Sequence, residues 1–158
     1  MLKSEATRPT VLIIHDRERG ARFFEGVLRN GFRVRIVTTC QAAADSLKTD
    51  PPDLVLCDHV CLRAGEGELL DALTNGSDVL ETPLIVVTAD RPEEDAEMLK
   101  LVLGAIDCVP RSVAPRLLRW KVRNWIHLKR EMDRLRHQTL GQGQLEAPRT
   151  RVSRGRQG

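Results

Sequence analysis

The sequence predicts an α/β protein with a parallel sheet and helices on both of its faces. Two observations predict it: short uninterrupted apolar runs recur along the chain, and segments with helical apolar spacing separate them. Uninterrupted apolar runs are typical of strands that are covered on both sides, as they are in parallel sheets. With 41% hydrophobic residues among 158, the chain can form the core of about one domain.

The first half of the chain contains three strands and two helices in alternation. A continuous apolar run at 10–15 predicts the first strand, and helical apolar spacing over 17–30 predicts the helix that follows. Residues 32–38 alternate apolar with basic residues, as a strand near the edge of a sheet does. Residues 40–49 then predict a short helix before two consecutive prolines, and 53–57 predicts a buried strand.

The second half continues the alternation and ends in a long helix. A helix is predicted at 68–73 and a buried strand at 83–88. A proline followed by three acidic residues predicts the start of a helix over 92–104, because acids in the first turn face the positive end of the helix dipole. A last short strand is predicted at 105–109, and a long helix at 113–139.

Charge divides the chain into an acidic body and a basic end. Residues 1–110 contain 12 Lys and Arg against 19 Asp and Glu, whereas residues 111–158 contain 13 against 3. We expect a disordered N-terminus, one domain, a helical extension and a disordered basic tail, because the end of the chain shows no apolar period. The predicted boundaries are 1–7, 8–128, 129–140 and 141–158.

Composition argues against several classes of protein. No apolar run approaches the roughly 18 residues of a membrane span, and the N-terminal segment lacks the apolar stretch of a signal peptide. We therefore expect a cytoplasmic protein with no membrane partner. The four cysteines lie inside apolar segments, which favours reduced and mostly buried thiols. They are Cys40, Cys57, Cys61 and Cys108.

Four polar residues stand at the carboxyl ends of predicted strands. These are Asp16 after the first strand, Asp58 at the end of the third, Thr88 at the end of the fourth and Arg111 after the fifth. In a parallel sheet the carboxyl ends of the strands meet at one edge, where ligands bind. We therefore expect the four side chains to converge there.

Three motifs give the chain a resemblance to a known family. PPDLVLCD ends the third strand in Asp58, PLIVVTA places Thr88 thirty residues later, and GAIDC occupies 104–108. In this order and spacing they resemble the receiver domain of the response regulators of bacterial two-component systems, over roughly residues 8–128. The resemblance implies a flavodoxin-like (βα)5 doubly wound parallel sheet in the order 2-1-3-4-5, here with an extended C-terminal helix, and it places Asp16 beside Asp58.

The resemblance also implies a chemistry for this edge of the sheet. Asp58 would accept a phosphoryl group from the phosphohistidine of a sensor histidine kinase or a phosphotransfer protein. Mg²⁺ would bind Asp16, Asp58 and the backbone carbonyl of Val60, since it prefers hard oxygen ligands. Thr88 and Arg111 would each bind a phosphoryl oxygen. The resemblance thus implies a phosphorelay protein that is not an enzyme and that signals through protein contacts.

Several positions depart from the family pattern. His15 stands where receivers have the first of two adjacent acids, which predicts weaker Mg²⁺ binding. It is either a neutral replacement, which we favour, or a group that makes the pocket respond to pH. Arg111-Ser112 replaces the usual Lys-Pro, so the charge is kept but the ammonium geometry is not. Cys108 stands where an aromatic switch residue is common. These departures leave open a second hypothesis, a receiver that is never phosphorylated and acts as a binding or dimerisation module.

The potential metal ligands in LVLCDHVC, residues 54–61, have a simpler interpretation. Successive side chains of a strand alternate faces, so Cys57 points away from Asp58. His59 and Cys61 are expected in the loop that follows. A structural zinc site usually has two spaced ligand pairs, and no second pair follows in the sequence. We interpret the segment as one that delivers a nucleophile, not a metal cluster.

The last helix carries an apolar seam that continues past the predicted domain. Trp125, Leu128, Met132 and Leu135 are spaced 3, 4 and 3. This seam predicts a homodimer or an effector contact through residues 128–139, although it is too short for a stable coiled coil by itself. A third hypothesis is the N-terminal regulatory part of a larger enzyme, such as a diguanylate cyclase.

The basic tail contains four arginines at 149–156, a sequence-independent footprint for phosphates. The tail has no aromatic residue that could stack on bases and no recognition module. The sequence therefore argues against specific nucleic-acid binding.

Overall fold

The computed structural model of the chain describes residues 8–64, 67–74, 81–90 and 107–145. Its strands and helices alternate along these ranges. The strands are β1 (Thr10–Ile14), β2 (Arg33–Val37), β3 (Leu54–Asp58), β4 (Leu84–Thr88) and β5 (Asp107–Pro110). The helices are α1 (Glu18–Leu28), α2 (Cys40–Thr49), α3 (His59–Ala64), α4 (Glu68–Thr74) and α5 (Pro115–Leu145).

The strands form one parallel sheet in the order β2-β1-β3-β4-β5, which confirms the predicted fold class and strand order. The basic and apolar strand β2 lies at an edge, as its alternation predicts. β1 and β3 are neighbours, with Ile14 beside Cys57 in the register. His15 and Asp58, the next residue of each chain segment, therefore leave the sheet at the same level.

Two apolar layers cover the two faces of the sheet. Ile13 and Leu56 pack with α1 and with the first half of α5. Ile14 and Cys57 pack on the opposite face, in a cluster that includes side chains of α2, α3 and α4. The alternation of side chains along each strand produces this division. Cys57 is fully buried in the second layer, which confirms that it points away from the face of Asp58.

The chain after β3 is helical, so the prediction that His59 and Cys61 lie in a loop is wrong. α3 begins at His59, directly after the strand. The Asp58 carboxylate accepts the backbone N–H of Val60 at 3.1 Å, as an N-cap side chain accepts from the second residue of a helix. Asp58 thus ends a strand and caps a helix, and the residues that follow it enter the helix at once.

The other predicted elements agree with the structure to within a few residues at most ends. α2 has the predicted bounds, and Thr39 caps it by accepting the N–H of Ala42 at 3.1 Å. α5 begins at Pro115, a residue favoured in the first turn because it lacks an N–H, and not at Val113. It continues to Leu145, beyond the predicted end at Thr139. The helix predicted at 92–104 lies outside the described residues.

The chain divides into two units, one ending at Ile126 and one beginning at His127. The first contains the sheet, α1 to α4 and the start of α5. In the second, the structure describes the continuation of α5 to Leu145. No helix in the described ranges combines the length and apolar content that crossing a bilayer requires. The predicted boundaries 8–128, 129–140 and 141–158 stay predictions.

Candidate functional site

The carboxyl edge of the sheet brings together the residues that were singled out at strand ends. Asp58 ends β3 and is 1% exposed, and Thr88 ends β4 and is 6% exposed. Arg111 follows β5 directly. His15 and Asp16 follow β1, the strand next to β3. We call this group the β-edge site: His15, Asp16, Asp58, Thr88 and Arg111.

The strongest contact of the β-edge site joins Arg111 to Asp58. The guanidinium donates from Nε to Oδ2 and from Nη2 to Oδ1, each at 3.0 Å. A two-point contact of this kind fixes geometry as well as charge. The turn that presents Arg111 is itself fixed, since the N–H of Arg111 donates to the Thr88 carbonyl and that of Ser112 to Asp90 Oδ1.

These contacts keep Asp58 ionised. Burial raises the pKa of the carboxyl group, but hydrogen bonds from Arg111 and from the Val60 N–H lower it further than burial raises it. The resulting pKa lies below the ordinary value of 3.8. At neutral pH the site therefore presents a carboxylate, which is the nucleophilic form.

His15 contacts Asp58. The imidazole Nε2 lies 3.4 Å from Asp58 Oδ2, and the His15 side chain is 5% exposed. Asp16 is 41% exposed, and its Oδ1 lies 3.3 Å from Nδ1 of His15. The imidazole is therefore a neighbour of Asp58 that the resemblance does not imply, and the expectation that Asp16 lies beside Asp58 stays a prediction. Strand alternation explains the His15 contact, because His15 follows Ile13 on the face shared with Asp58, whereas Asp16 follows Ile14 on the other face.

A backbone hydrogen bond defines the tautomer of His15. The N–H of Arg17 donates to Nδ1 at 3.0 Å, so Nδ1 is an acceptor and the ring proton is on Nε2. The Asp16 carboxylate near the same nitrogen is partly solvated, whereas the Arg17 N–H is fixed by the chain, so the backbone bond decides the assignment. The protonated nitrogen, Nε2, is therefore the one that lies nearer to Asp58, at 3.4 Å from Oδ2.

Gly20 on α1 is a part of the site that the sequence analysis did not identify. A Cβ atom at this position would lie 2.3 Å from Nε2 and 2.5 Å from Cε1 of His15. Only a residue without a side chain lets α1 approach the imidazole so closely. The signal in the sequence was a glycine five residues after His15 inside a predicted helix, where glycine is otherwise unfavourable.

Thr88 and Val60, the other residues predicted for this site, make contacts different from those expected. The Thr88 hydroxyl donates to the Val109 carbonyl at 3.4 Å, a long hydrogen bond. Val60 lies in the first turn of α3, where backbone carbonyls are directed along the helix toward residues four positions later. Its N–H, and not its carbonyl, is the group that contacts Asp58.

The residues expected to hold Mg²⁺ do not fit that ion as they stand. The Asp16 and Asp58 carboxylates contact the two different ring nitrogens of His15, so the imidazole lies between them. Among the described residues, no three acidic, histidine or cysteine side chains gather as a metal site. The predicted ligand set of Asp16, Asp58 and the Val60 carbonyl contains only two such side chains, and it stays a prediction.

The neighbouring histidine and thiols have structural partners. His59 Nδ1 lies 3.1 Å from the Val87 carbonyl, which ties α3 to β4. Burial, and then the carboxylates of Asp16 and Asp58, raise the pKa of Cys61 to about 11. Cys40 donates its thiol to the Cys61 carbonyl at 3.2 Å. The Cys61 thiol is therefore protonated at neutral pH, a form that is neither nucleophile nor metal ligand.

A cavity of about 330 Å³ opens beside His15 and Arg111, the two side chains that contact Asp58 Oδ2. Its described lining is cationic and aromatic. It consists of His15, Arg17, Arg19, Gly20, Phe23, Phe24 and Arg111. An anionic group that reached Asp58 from this cavity would meet complementary charge.

Comparisons with known proteins agree with this architecture. A CheY-like response regulator receiver domain protein of Methanospirillum hungatei shares 20% identity, with 80% of this chain and 99% of that chain covered and a TM-score of 0.68. The receiver domain of a signal transduction histidine kinase of Syntrophus aciditrophicus shares 21% identity over 75% of this chain and 90% of that chain, at a TM-score of 0.64.

No protein-family model matches the chain. A Vibrio cholerae protein described as a "Probable cyclic di-GMP phosphodiesterase" is 28% identical over 138 residues, or 87% of this chain. The chain spans 31% of the length of that relative. Together with the strand order 2-1-3-4-5 and the position of Asp58, the structural comparisons show that this chain has the fold of the CheY-like receiver domains of response regulators.

Proposed function

We propose that this protein is a response regulator receiver in a cytoplasmic phosphorelay, in which Asp58 accepts a phosphoryl group from the phosphohistidine of a histidine kinase or phosphotransfer protein. The observation that carries the proposal is the Asp58 carboxylate itself. It is buried, ionised and held at two points by Arg111 at the carboxyl edge of the sheet. Carboxylates in such a position act as nucleophiles toward phosphorus.

The transfer needs positioning and charge compensation more than further covalent chemistry. An Asp58 oxygen forms a bond to phosphorus while the bond between phosphorus and the donor imidazole nitrogen breaks. The electron pair of that bond stays on the donor imidazole, and the product is an aspartyl phosphate. Arg111 supplies the cation that pairs with the transferred group, and the Thr88 hydroxyl at the end of β4 supplies a donor.

The output of the domain is proposed to be a protein contact through the continuation of α5. Leu128, Met132 and Leu135 are 46%, 44% and 54% exposed. Their spacing of 4 and 3 places them on one side of the helix. We call these three residues the α5 seam. A second copy of the chain or an effector would cover it, which agrees with a signalling domain that is not itself an enzyme.

A second candidate is the regulatory segment of a larger enzyme. It is favoured by the Vibrio cholerae relative, of which the chain spans less than a third. In that case the α5 continuation would join the receiver to a catalytic part. The phosphoacceptor role of Asp58 is common to both candidates, so one experiment tests it for both.

The test is phosphorylation by acetyl phosphate in the presence of Mg²⁺, followed by intact mass measurement. Wild type is expected to gain one phosphoryl group, and Asp58→Asn none. Asp45→Asn is a matched control, because Asp45 is an exposed acid on α2 away from the β-edge site. An adduct on Asp58→Asn, or none on wild type under any condition, would contradict the proposal and favour a binding module that is never phosphorylated.

A further inference from the structure

The arrangement around Asp58 conflicts with the octahedral site that Mg²⁺ requires. Mg²⁺ binds oxygens at 2.0–2.1 Å, so neighbouring ligand oxygens lie about 3 Å apart. Here the carboxylates of Asp16 and Asp58 lie 3.3 and 3.4 Å from different nitrogens of one imidazole. The ring of His15 thus contacts both of the carboxylates that the ion would need as ligands.

The oxygens of Asp58 also have other partners. Oδ1 accepts from Arg111 at 3.0 Å and from the Val60 N–H at 3.1 Å. Oδ2 accepts from Arg111 at 3.0 Å and faces His15 Nε2 at 3.4 Å. A metal ion on either oxygen would share that oxygen with the Arg111 guanidinium, so two cationic groups would lie side by side.

His15 has little freedom to move away. Its side chain is 5% exposed, its Nδ1 accepts the Arg17 N–H, and α1 packs against the ring at Gly20. A rotation of the ring would break the backbone hydrogen bond or bring the imidazole into α1. Burial and this bond therefore fix the ring in place.

The charges that line the adjoining cavity are of the sign that attracts a phosphoryl group and repels a metal ion. Arg17, Arg19 and Arg111 line it, and no acidic residue is among its described lining. An entering phosphoryl group would meet the Arg111 guanidinium and the Nε2–H of His15 where receivers of the usual pattern have a second acid.

We propose that the β-edge site transfers a phosphoryl group to Asp58 without a divalent cation, with Arg111 and the Nε2–H of His15 supplying the charge compensation and hydrogen bonding. This inference rests on the proposed phosphoacceptor role of Asp58. With acetyl phosphate as donor, an Asp58 oxygen bonds to phosphorus, the bond from phosphorus to the acetyl oxygen breaks, and acetate leaves with the electron pair. Arg111 moves one or both of its hydrogen bonds from the carboxylate to the phosphoryl oxygens.

The experiment compares the rate of adduct formation from acetyl phosphate in EDTA and in Mg²⁺, by intact mass, for wild type and two variants. For wild type, the rates in EDTA and in Mg²⁺ are expected to differ by less than about twofold, because no metal ion stabilises the developing charge. His15→Asp restores the second acid and is expected to react more than about tenfold faster with Mg²⁺. His15→Gln keeps an N–H donor without an acid, and it is expected to stay insensitive to Mg²⁺.

Calorimetric titration with Mg²⁺ alone gives a readout that does not depend on phosphorylation. Binding heat is expected for His15→Asp and absent for wild type and His15→Gln, whose folding is checked by circular dichroism. A wild-type adduct that forms only with Mg²⁺, or Mg²⁺ binding by wild type, would overturn the metal-independent mechanism and leave the phosphoacceptor role standing. No adduct in either condition would instead overturn the phosphoacceptor role, and this inference with it.

Discussion

The two parts of α5 have the same apolar periodicity but different roles. Before the boundary at Ile126, Leu118 and Val122 are completely buried against the sheet. After His127, the α5 seam of Leu128, Met132 and Leu135 is about half exposed. Apolar spacing therefore predicts that a helix has an apolar side, but not whether the chain itself covers that side. The first part of α5 contributes to the stability of the fold, whereas the second is available for a partner.

Truncation of one leucine in each part should separate the two roles most strongly. Leu118→Ala removes a buried side chain and is expected to lower the free energy of unfolding by about 2–5 kcal/mol. Leu135→Ala removes a half-exposed one and is expected to change it by less than about 0.5 kcal/mol. Urea unfolding of both variants measures the difference. A large cost for Leu135→Ala at low protein concentration would show that this side chain is covered within one chain.

The β-edge site, like the buried part of α5, affects the stability of the fold, because the buried Asp58 needs its hydrogen-bond partners. In Arg111→Met the buried Asp58 would lose the two Arg111 hydrogen bonds that lower its pKa and keep the one from the Val60 N–H, so its pKa should rise from the wild-type value. We expect this variant to be less stable than wild type at pH 7. The cost should lie below the about 3–5 kcal/mol typical of a fully buried pair, because the Arg111 side chain is 40% exposed and partly screened.

The pH dependence of stability should also weaken at this group. In wild type the folded pKa of Asp58 is depressed, so its stabilisation is present above the ordinary unfolded pKa and is lost as the pH falls through the lower folded value. In Arg111→Met the folded pKa rises from the wild-type value, so this carboxylate should contribute less to the loss of stability in acid. Carboxyl ¹³C shifts of labelled aspartates report the pKa directly. An Asp58 pKa that is unchanged by the substitution would contradict this account.

Alanine substitutions at two glycines of α1 should have smaller effects, and they compare two positions in the same helix. Gly20→Ala places a methyl group against the His15 ring and is expected to destabilise the fold by about 1–3 kcal/mol. Gly26 has open space around its Cα, so Gly26→Ala is expected to stabilise the same helix by about 0.5–1 kcal/mol. Thermal or urea unfolding measures both. Equal effects of the two substitutions would mean that α1 does not pack on His15 as described.

Much of this structure was predictable because its signals are local. Apolar runs located the strands to within one or two residues of their observed ends, and the carboxyl-edge rule brought Asp58 and Arg111 to the same site. The contact of His15 with Asp58 and the role of Gly20 were not predicted. Both depend on distances between β1, β3 and α1, which no single segment encodes, although strand alternation would have placed His15 on the face of Asp58.

The smallest expected effect concerns self-association through the α5 seam. Spacing of 4 and 3 allows two parallel copies to pack these residues together. A seam of about one heptad is short, so association should be weak and visible only at high protein concentration. Leu135→Glu places a charge in the seam and should abolish it. His137→Glu adds the same charge two residues away on the opposite side of the helix and should not. Sedimentation velocity over a range of concentrations measures both variants. Monomeric wild type throughout that range would exclude the homodimer and leave an effector as the partner of the seam.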